Sequence, residues 1–260
     1  MVIKMSENVR EKERVEGSQE RLSEEMELVK TGIKGLDSII GGLIRGRTYL
    51  VAGETGTGKT LFALNFLVYG ALNNEPGIYL LVDEDYEDFI RGARAFGWDL
   101  EYLIDQNKLS ILTLLPDFVE RMRNKSLDSI VKSIVYNLAS EARRINAVRL
   151  VIDPVAPLVL SENELGKMRE YIRSLIINLE KQIGTTNIVT SEIPTGSNKL
   201  SRYDIEEFLA AGVFVLRLER LGNKYVRTIL IRKMRWRPVH PELYTFSIAS
   251  GRGIILGKKL

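Results

Sequence analysis

Gly53-Glu54-Thr55-Gly56-Thr57-Gly58-Lys59-Thr60 is the stretch that decides the fold of this chain. It has the spacing G-x-x-x-x-G-K-[ST], which chance would place in roughly one chain of this length per hundred. A short apolar run, Thr48 to Ala52, precedes it, and a stretch typical of a helix, Lys59 to Leu72, follows. Glycines let such a loop wrap with its N–H groups pointing inward, and the helix adds its positive end there. The stretch therefore predicts a phosphate-binding loop; the alternative is an ordinary strand-to-helix turn.

The residues of this loop suit a nucleoside triphosphate held with Mg²⁺, so ATP or ADP and Mg²⁺ are the expected cofactors. We expect Lys59 to contact the β- and γ-phosphates and the Thr60 hydroxyl to bind the metal. A second metal-side acid is expected at the end of another parallel strand. Asp153 ends the apolar run Val148 to Ile152 and meets this expectation. Strands often end in Asp at a turn, but with the loop present we assign Asp153 to the metal.

A cluster of acids, Asp83, Glu84 and Asp85, follows the apolar run Ile78 to Val82. Hydrolysis needs a group that orients and polarises the attacking water, and acids ending a strand beside the phosphate strand lie at the ligand edge of such a sheet. We predict Glu84 as the general base and Asp83 as its assistant, acting together with Lys59. The alternative is that Asp83 or Asp85 caps the following helix, and both interpretations can hold for different members.

The rest of the chain alternates short apolar runs with longer amphipathic stretches, which predicts an α/β fold with a mostly parallel sheet flanked by helices. The further predicted parallel strands are Ile78 to Val82, Leu109 to Leu114, Val148 to Ile152 and Asn187 to Thr190. The further predicted helices are Glu87 to Phe96, Ser126 to Arg144 and Glu164 to Lys181. After Gly212 the pattern changes and predicts antiparallel C-terminal strands at Val213 to Arg220, Tyr225 to Lys233 and Tyr244 to Ile248.

Composition excludes several kinds of site. The chain has 260 residues without a cysteine, so disulfides, thiolate catalysis and cysteine metal sites are excluded. The single histidine, His240, cannot form a histidine pair or a histidine-based metal site. The net charge of +3 gives no overall attraction to nucleic acid. No window approaches the ~18 apolar residues of a spanning helix, and the charged N-terminus is unlike a signal peptide, so we expect a cytoplasmic protein without membrane contact.

Several motifs outside the loop carry a family resemblance. They are Thr31 to Asp37, Gly41-Gly42, Gly46-Arg47, Phe96 to Leu100, Ile205 to Phe208 and Lys233 to Arg235. In their order and spacing the chain resembles KaiC-like ATPases of the RecA superfamily, a group that includes archaeal RadA paralogs. The resemblance covers roughly residues 28 to 250. It implies a RecA-like ATPase domain at 28–260. Residues 1–27 are mostly charged and polar, which predicts an extension that is either a solvated tail, in part helical, or an arm packing on a neighbouring subunit.

The resemblance also implies a homo-oligomer, a hexameric ring or a filament, with nucleotide held between neighbouring subunits. Lys233 and Arg235 match the basic pair that such proteins extend into the next subunit's triphosphate site. Alternate residues of a strand point the same way, so both cations can face one site; the alternative is a solvated basic edge strand. Two positions depart from the pattern: Asp83 stands where a glutamate is usual, and Trp236 replaces a common glycine.

Three functions fit these features to different degrees. The first is a Mg²⁺-dependent, ring-forming ATPase that acts as a nucleotide-driven switch for a protein partner not identified by the sequence. The second is a DNA recombination or repair accessory ATPase that binds single-stranded DNA through Lys199, Arg202 and Tyr203. The third is a small-molecule kinase, which would need an acceptor site and a basic lid, and the sequence shows neither clearly. Protein kinase activity is not expected, because Glu207-Phe208 stands where the autophosphorylating KaiC domain has a Ser-Thr pair.

Overall fold

The structure of the protein is a computed structural model that describes residues 27–82, 84–114, 125–155, 165–197 and 199–260. Nearly all of the N-terminal extension and the proposed assisting acid Asp83 lie outside the described residues. Within the described part of the chain, no helix is long and apolar enough to cross a membrane.

Eleven strands and seven α-helices form the described part of the chain. The strands are β1 (Leu28–Val29), β2 (Leu43–Ile44), β3 (Thr48–Gly53), β4 (Gly77–Leu81), β5 (Leu109–Thr113), β6 (Arg149–Asp153), β7 (Thr186–Glu192), β8 (Gly212–Leu221), β9 (Lys224–Met234), β10 (Glu242–Ala249) and β11 (Gly253–Lys259). The helices are α1 (Leu36–Ile40), α2 (Lys59–Leu72), α3 (Tyr86–Ala95), α4 (Leu100–Asp105), α5 (Leu127–Ile145), α6 (Leu165–Asn178) and α7 (Glu206–Leu209). A π-helical turn, Leu179–Ile183, extends α6.

Nine of the strands form one sheet in the order β11-β10-β9-β8-β3-β7-β6-β4-β5. Strands β3 to β7 are parallel, β8 joins β3 in parallel, and β8 to β11 pair with one another antiparallel. The predicted fold class is confirmed. One placement was wrong: β4 does not lie beside the phosphate strand β3, because β7 and β6 separate them. Two-residue periodicity identifies a strand but carries no information on its place in a sheet.

The central strand β3 is buried along its whole length, as a parallel strand covered on both faces requires. Its side chains alternate between two apolar layers. Tyr49 and Val51 join the layer that contains α2, α3 and the apolar side of β8 to β10, whereas Leu50 and Ala52 join the layer of α5 and α6. The sheet therefore has a core on each face, and it presents the carboxyl ends of its parallel strands at one open edge.

Local signals explain where the helices of these layers begin and end. The Ser126 hydroxyl accepts a hydrogen bond from the Ser129 backbone N–H and caps α5, which ends at Asn146 in a left-handed conformation. The Asp99 carboxylate caps α4 in the same way through the Tyr102 N–H. The strand β11 was not predicted, since its apolar segment is short and is followed by glycine and lysines.

Among the described residues, the largest fully buried side chain is that of Arg149, at the start of β6, with 1% of its surface exposed. Its guanidinium pairs with Glu75, donates to the carbonyls of Lys30 and Phe66 at 2.8 Å each, and lies 4.4 Å from the Phe66 ring centroid. Burial lowers the Arg149 pKa, and the partnership with Glu75 opposes that shift. The residue thus joins the N-terminal segment, helix α2 and β6 in one hydrogen-bonded cluster.

Candidate active site

The stretch from Gly53 to Thr60 forms a loop between the end of β3 and the start of α2. Gly56 has φ 78° and Gly58 has φ 108°, a region that side chains rarely adopt. The Thr57 hydroxyl is buried inside the loop and donates to the Glu54 carbonyl at 2.8 Å. A glycine-rich loop of this conformation can turn backbone N–H groups toward one point, the arrangement that a phosphate requires.

Lys59 lies across this loop, with its ammonium group donating to the Glu54 carbonyl at 2.9 Å. Burial lowers the Lys59 pKa, and the negative charges of Glu192 and Asp153 oppose the shift. The half-buried cation is thus placed at the centre of the loop, where an anion would meet both the ammonium group and the helix amino end.

Asp153 at the end of β6 is 8% exposed and accepts three hydroxyl hydrogen bonds. Thr60 donates to Oδ2 at 2.8 Å, Tyr79 donates to the same oxygen at 2.5 Å, and Thr190 donates to Oδ1. Burial and the nearby Asp153 charge raise the Tyr79 pKa well above its ordinary value, so this phenol stays protonated. The predicted pair of Thr60 and Asp153 is brought into contact, and their hydroxyl and carboxylate oxygens are the hard ligands that Mg²⁺ prefers.

Two described acids after β4, Glu84 and Asp85, have different surroundings. Asp85 caps α3, because its carboxylate accepts from the backbone N–H groups of Glu87 at 2.9 Å and Asp88 at 3.1 Å. Glu84 is an exposed side chain, and its pKa is raised by partial burial and by the charges of Asp153 and Asp88. Since β4 pairs directly with β6, the carboxylate of Glu84 stands within the field of the metal-side acid. A carboxylate with raised proton affinity is a better base for water.

Glu192, at the end of β7, is a site residue that the sequence interpretation missed. It pairs with Gly53 in the β3–β7 register and accepts a hydrogen bond from the Thr55 hydroxyl. It also lies 3.5 Å from the Arg202 guanidinium. Like Asp153, it is an acid at the end of a buried parallel strand, and that signal could have identified it. Glu192 joins the phosphate loop to the following surface segment.

A cavity of about 450 Å³ adjoins the loop and contains side chains from distant parts of the chain. Its lining residues are Gly56, Gly58, Lys59, Thr60, Leu61, Phe96, Arg227 and Ile248. The buried Nε of Arg227 has no hydrogen-bond partner among the described residues. An unpartnered guanidinium nitrogen beside apolar walls and a phosphate loop fits a nucleotide, which offers acceptor oxygens and a flat base together. No local motif identifies Arg227 from the sequence.

The surface segment considered for DNA has fewer available groups than its sequence indicated. Lys199 pairs with Asp204 at 2.7 Å, and Arg202 lies beside both Glu192 and the Tyr203 ring. Tyr203 is 5% exposed, so its ring faces the core instead of solvent. In this conformation the segment offers no exposed aromatic platform from Tyr203 for a stacked base.

The structure places Lys233 and Arg235 away from the phosphate loop of their own chain. Gly212 pairs with both Tyr49 and Met234, so the basic pair is level with the start of β3. Gly53 is four residues further along β3, roughly 13 Å at about 3.3 Å per residue. The two cations instead donate to backbone carbonyls around α7, with Lys233 Nζ 2.7 Å from the Glu207 oxygen.

The surroundings of this basic pair are unusual for a solvated edge. Burial and the adjacent Arg235 charge lower the Lys233 pKa to about 8. Trp236, the next residue, has φ 61° and is 78% exposed, and Phe208 beside the pair is 64% exposed. A tryptophan in the left-handed region carries backbone strain, and here it stands next to an exposed aromatic ring and two cations.

Comparison with known proteins gives a consistent result. The family model described as "ATPase: KaiC" matches residues 29–260. The circadian clock oscillator proteins KaiC of Thermostichus vulcanus and Synechococcus elongatus are 38% and 36% identical, over 239 and 224 residues. These matches cover 90% and 85% of this chain but 45% and 42% of the two relatives. The chain thus spans less than half the length of these curated relatives.

The fold is also found in a solved structure. The crystal structure of a KaiC-like protein from the hyperthermophilic archaeon Pyrococcus horikoshii matches with a TM-score of 0.76 and 38% sequence identity. The match covers 90% of this chain and all of the archaeal chain, so that protein is of comparable extent.

Proposed function

Since the chain belongs to the KaiC family of ATPases, with a RecA-like P-loop fold, we propose that it hydrolyses ATP in a Mg²⁺-dependent manner and acts as a nucleotide-driven regulatory switch. The observation that carries the proposal is the meeting of Lys59, Thr60 and Asp153 at one edge of the sheet. The Thr60 hydroxyl and the Asp153 carboxylate are in contact, and Lys59 occupies the middle of a glycine-rich loop. These three groups match the needs of a triphosphate and its cation.

Each residue has a role in the proposed reaction. The loop N–H groups and Lys59 hold the β- and γ-phosphate oxygens, and Arg227 and Phe96 bound the cavity that receives the rest of the nucleotide. Thr60 and Asp153 would hold Mg²⁺, which when bound neutralises charge on the phosphate oxygens. Glu84 takes a proton from a water whose oxygen attacks the γ-phosphorus. The bond to the β–γ bridging oxygen breaks, and ADP and phosphate leave.

The same site is proposed to be shared between copies of the chain in a closed ring or a filament. Lys233 and Arg235 lie roughly 13 Å from the level of their own Gly53, and they stand beside exposed Phe208 and Trp236. A cation pair on such an apolar surface suits insertion into a neighbour, where it would offset the charge that develops on the transferred phosphoryl group. The charged extension at 1–27 remains a proposed separate segment before the ATPase domain at 28–260.

The switch proposal is supported by the contacts that connect the loop to the surface. Glu54 accepts from the Gly196 N–H at 3.2 Å, and Glu192 binds Thr55 on one side and Arg202 on the other. A γ-phosphate entering beside Thr55 would compete with Glu192 for the loop, and the surface segment that starts at Ile193 would respond. Nucleotide state would then change the surface offered to a protein partner.

Binding of single-stranded DNA is the second candidate function, and the structure favours it less. It would use Lys199, Arg202 and Tyr203, yet Tyr203 is buried and both cations lie beside carboxylates. The segment would have to rearrange before a base could stack on it. The switch therefore fits the observed conformation better.

The proposal is tested by measuring phosphate release from ATP with and without Mg²⁺, for the natural chain and for Lys59→Ala. We expect Mg²⁺-dependent turnover that the substitution abolishes, together with weakened nucleotide binding. Normal binding and turnover of Lys59→Ala would sink the proposal. Lys167→Ala, which changes a lysine on α6, is the matched control and should keep full activity. Gel mobility with single-stranded DNA at two salt concentrations tests the second candidate, because phosphate contacts weaken with salt.

A further inference from the structure

Tyr79 is a buried polar side chain that the reaction described above does not use. It lies in the middle of β4 and is fully buried, and its ring packs against Phe89 with centroids 4.6 Å apart. A phenylalanine would fill the same apolar space without a polar atom. Burying a hydroxyl is costly unless it is hydrogen-bonded, so its partner is informative. That partner is the carboxylate of Asp153, at 2.5 Å.

The register of the sheet explains this contact. In the parallel pair of β4 and β6, Tyr79 stands opposite Val151 and Leu81 stands opposite Asp153. Residues two apart on a strand share a face, so Tyr79 lies on the Asp153 face, two residues earlier and about 7 Å along the strand. A tyrosine is long enough to cover that distance, and its hydroxyl therefore reaches the carboxylate from inside the core.

The three hydroxyls around Asp153 approach it from different elements. Thr60 donates to Oδ2 from the phosphate loop, Tyr79 donates to Oδ2 from β4, and Thr190 donates to Oδ1 from β7. The two donors outside the loop hold both carboxylate oxygens in place. With the acid fixed, the Thr60 proton is directed at Oδ2, and the lone pairs of its oxygen are left to face a cation.

We propose that Tyr79 is a positioning residue that fixes the Asp153 carboxylate and thereby orients Thr60 as a ligand for the nucleotide-bound Mg²⁺. This inference rests on the proposed Mg²⁺-dependent function and adds a residue to it. Hydrogen-bonding partners behind a metal ligand commonly set metal affinity, with losses of about 10-fold to 100-fold on removal. Without the phenol, Asp153 keeps Thr190 and Thr60 as donors, but no donor outside the loop holds Oδ2, so the carboxylate can rotate about its terminal bond together with Thr60.

The test is Tyr79→Phe, which keeps the ring packing and removes the hydroxyl. Mn²⁺ serves as a spectroscopic substitute for Mg²⁺, and free Mn²⁺ is measured by electron paramagnetic resonance during titration of the ADP complex. We expect the Mn²⁺ dissociation constant to rise about tenfold, while ADP binding in the absence of metal stays unchanged. An unchanged Mn²⁺ affinity in the folded variant would overturn the inference.

Two further variants make the test specific. Tyr171→Phe removes the hydroxyl of another buried tyrosine, in the layer on the opposite face of the sheet, and should leave Mn²⁺ binding unaltered. Thr190→Val removes the donor to Oδ1 and should weaken Mn²⁺ binding as Tyr79→Phe does, which also covers the case that Tyr79→Phe does not fold. If the natural chain itself binds no Mn²⁺ with ADP, the proposed function fails. If it does, and folded Tyr79→Phe binds Mn²⁺ equally well, only this inference fails; Thr190→Val decides in the same way where Tyr79→Phe does not fold.

Discussion

Replacement of Lys233 by arginine has an effect that can be worked out from the surroundings of the lysine. Burial and the Arg235 charge disfavour the ammonium form and lower its pKa to about 8, so the amine loses its charge as the pH rises through that value. One pH unit above, roughly a tenth of the lysines stay charged, because each unit changes the ratio of the two forms tenfold. If the charged form is needed at a neighbour's phosphates, kcat/KM for ATP should fall about tenfold between neutral pH and about pH 9. An arginine remains charged throughout this range and should remove the alkaline fall.

The assay is steady-state phosphate release at low ATP concentration over about pH 6 to pH 10, since kcat/KM reports groups of the free enzyme. Lys224→Arg, at an exposed position near the start of the same strand, is the matched control and should keep the alkaline fall of the natural chain. If kcat/KM of Lys233→Arg falls at alkaline pH with the same midpoint as that of the natural chain, the reasoning is refuted. Another group, such as Lys59, would then be responsible for the fall.

Two further predictions concern the base and the core. Glu84→Gln should lower ATP turnover by about 10²-fold to 10⁴-fold without weakening ADP binding, as loss of a general base does. Glu87→Gln, on the exposed side of α3, is the control and should leave turnover unchanged. Equal turnover of Glu84→Gln and the natural chain would contradict the assignment of Glu84 as the base. Arg149→Met should lower the free energy of unfolding by about 3 kcal/mol, the lower end for a broken buried pair because Glu75 keeps access to water. Urea unfolding measures this loss, and exposed Arg144→Met is the control, which should change the stability far less. A loss no larger than that of the control would show that Arg149 is dispensable.

The features that could be predicted from the sequence are those that depend on consecutive residues. The loop from Gly53 to Thr60 is local, and its place between β3 and α2 follows from the apolar run before it and the helical pattern after it. Asp153 could be identified because an acid directly ends a buried run. The capping interpretation holds for Asp85, since its carboxylate accepts hydrogen bonds from the first backbone N–H groups of α3.

Contacts between distant strands could not be predicted in the same way. Arg227 lines the cavity beside the loop because of the place that β9 takes in the folded sheet, and no pattern near position 227 indicates this. In the sequence, Tyr79 is indistinguishable from the other residues of a buried apolar strand. Its contact with Asp153 follows from the register of two strands that are distant in the sequence. Tyr203 was considered for DNA because tyrosine stacks on bases, but its burial depends on how the segment packs against the core.

The central claim is that each ATP site is built by two copies of the chain, and mixing two inactive variants tests it most directly. Lys59→Ala lacks the lysine of the phosphate loop, and Arg235→Ala lacks the cation that we propose is supplied to the neighbour. In an evenly mixed ring, roughly a quarter of the interfaces combine an intact loop with an intact Arg235. We predict that co-expressed variants recover ATP turnover to roughly that fraction of the natural chain, while each variant alone stays inactive. Mixed oligomers with no turnover above that of the separate variants would contradict the shared site.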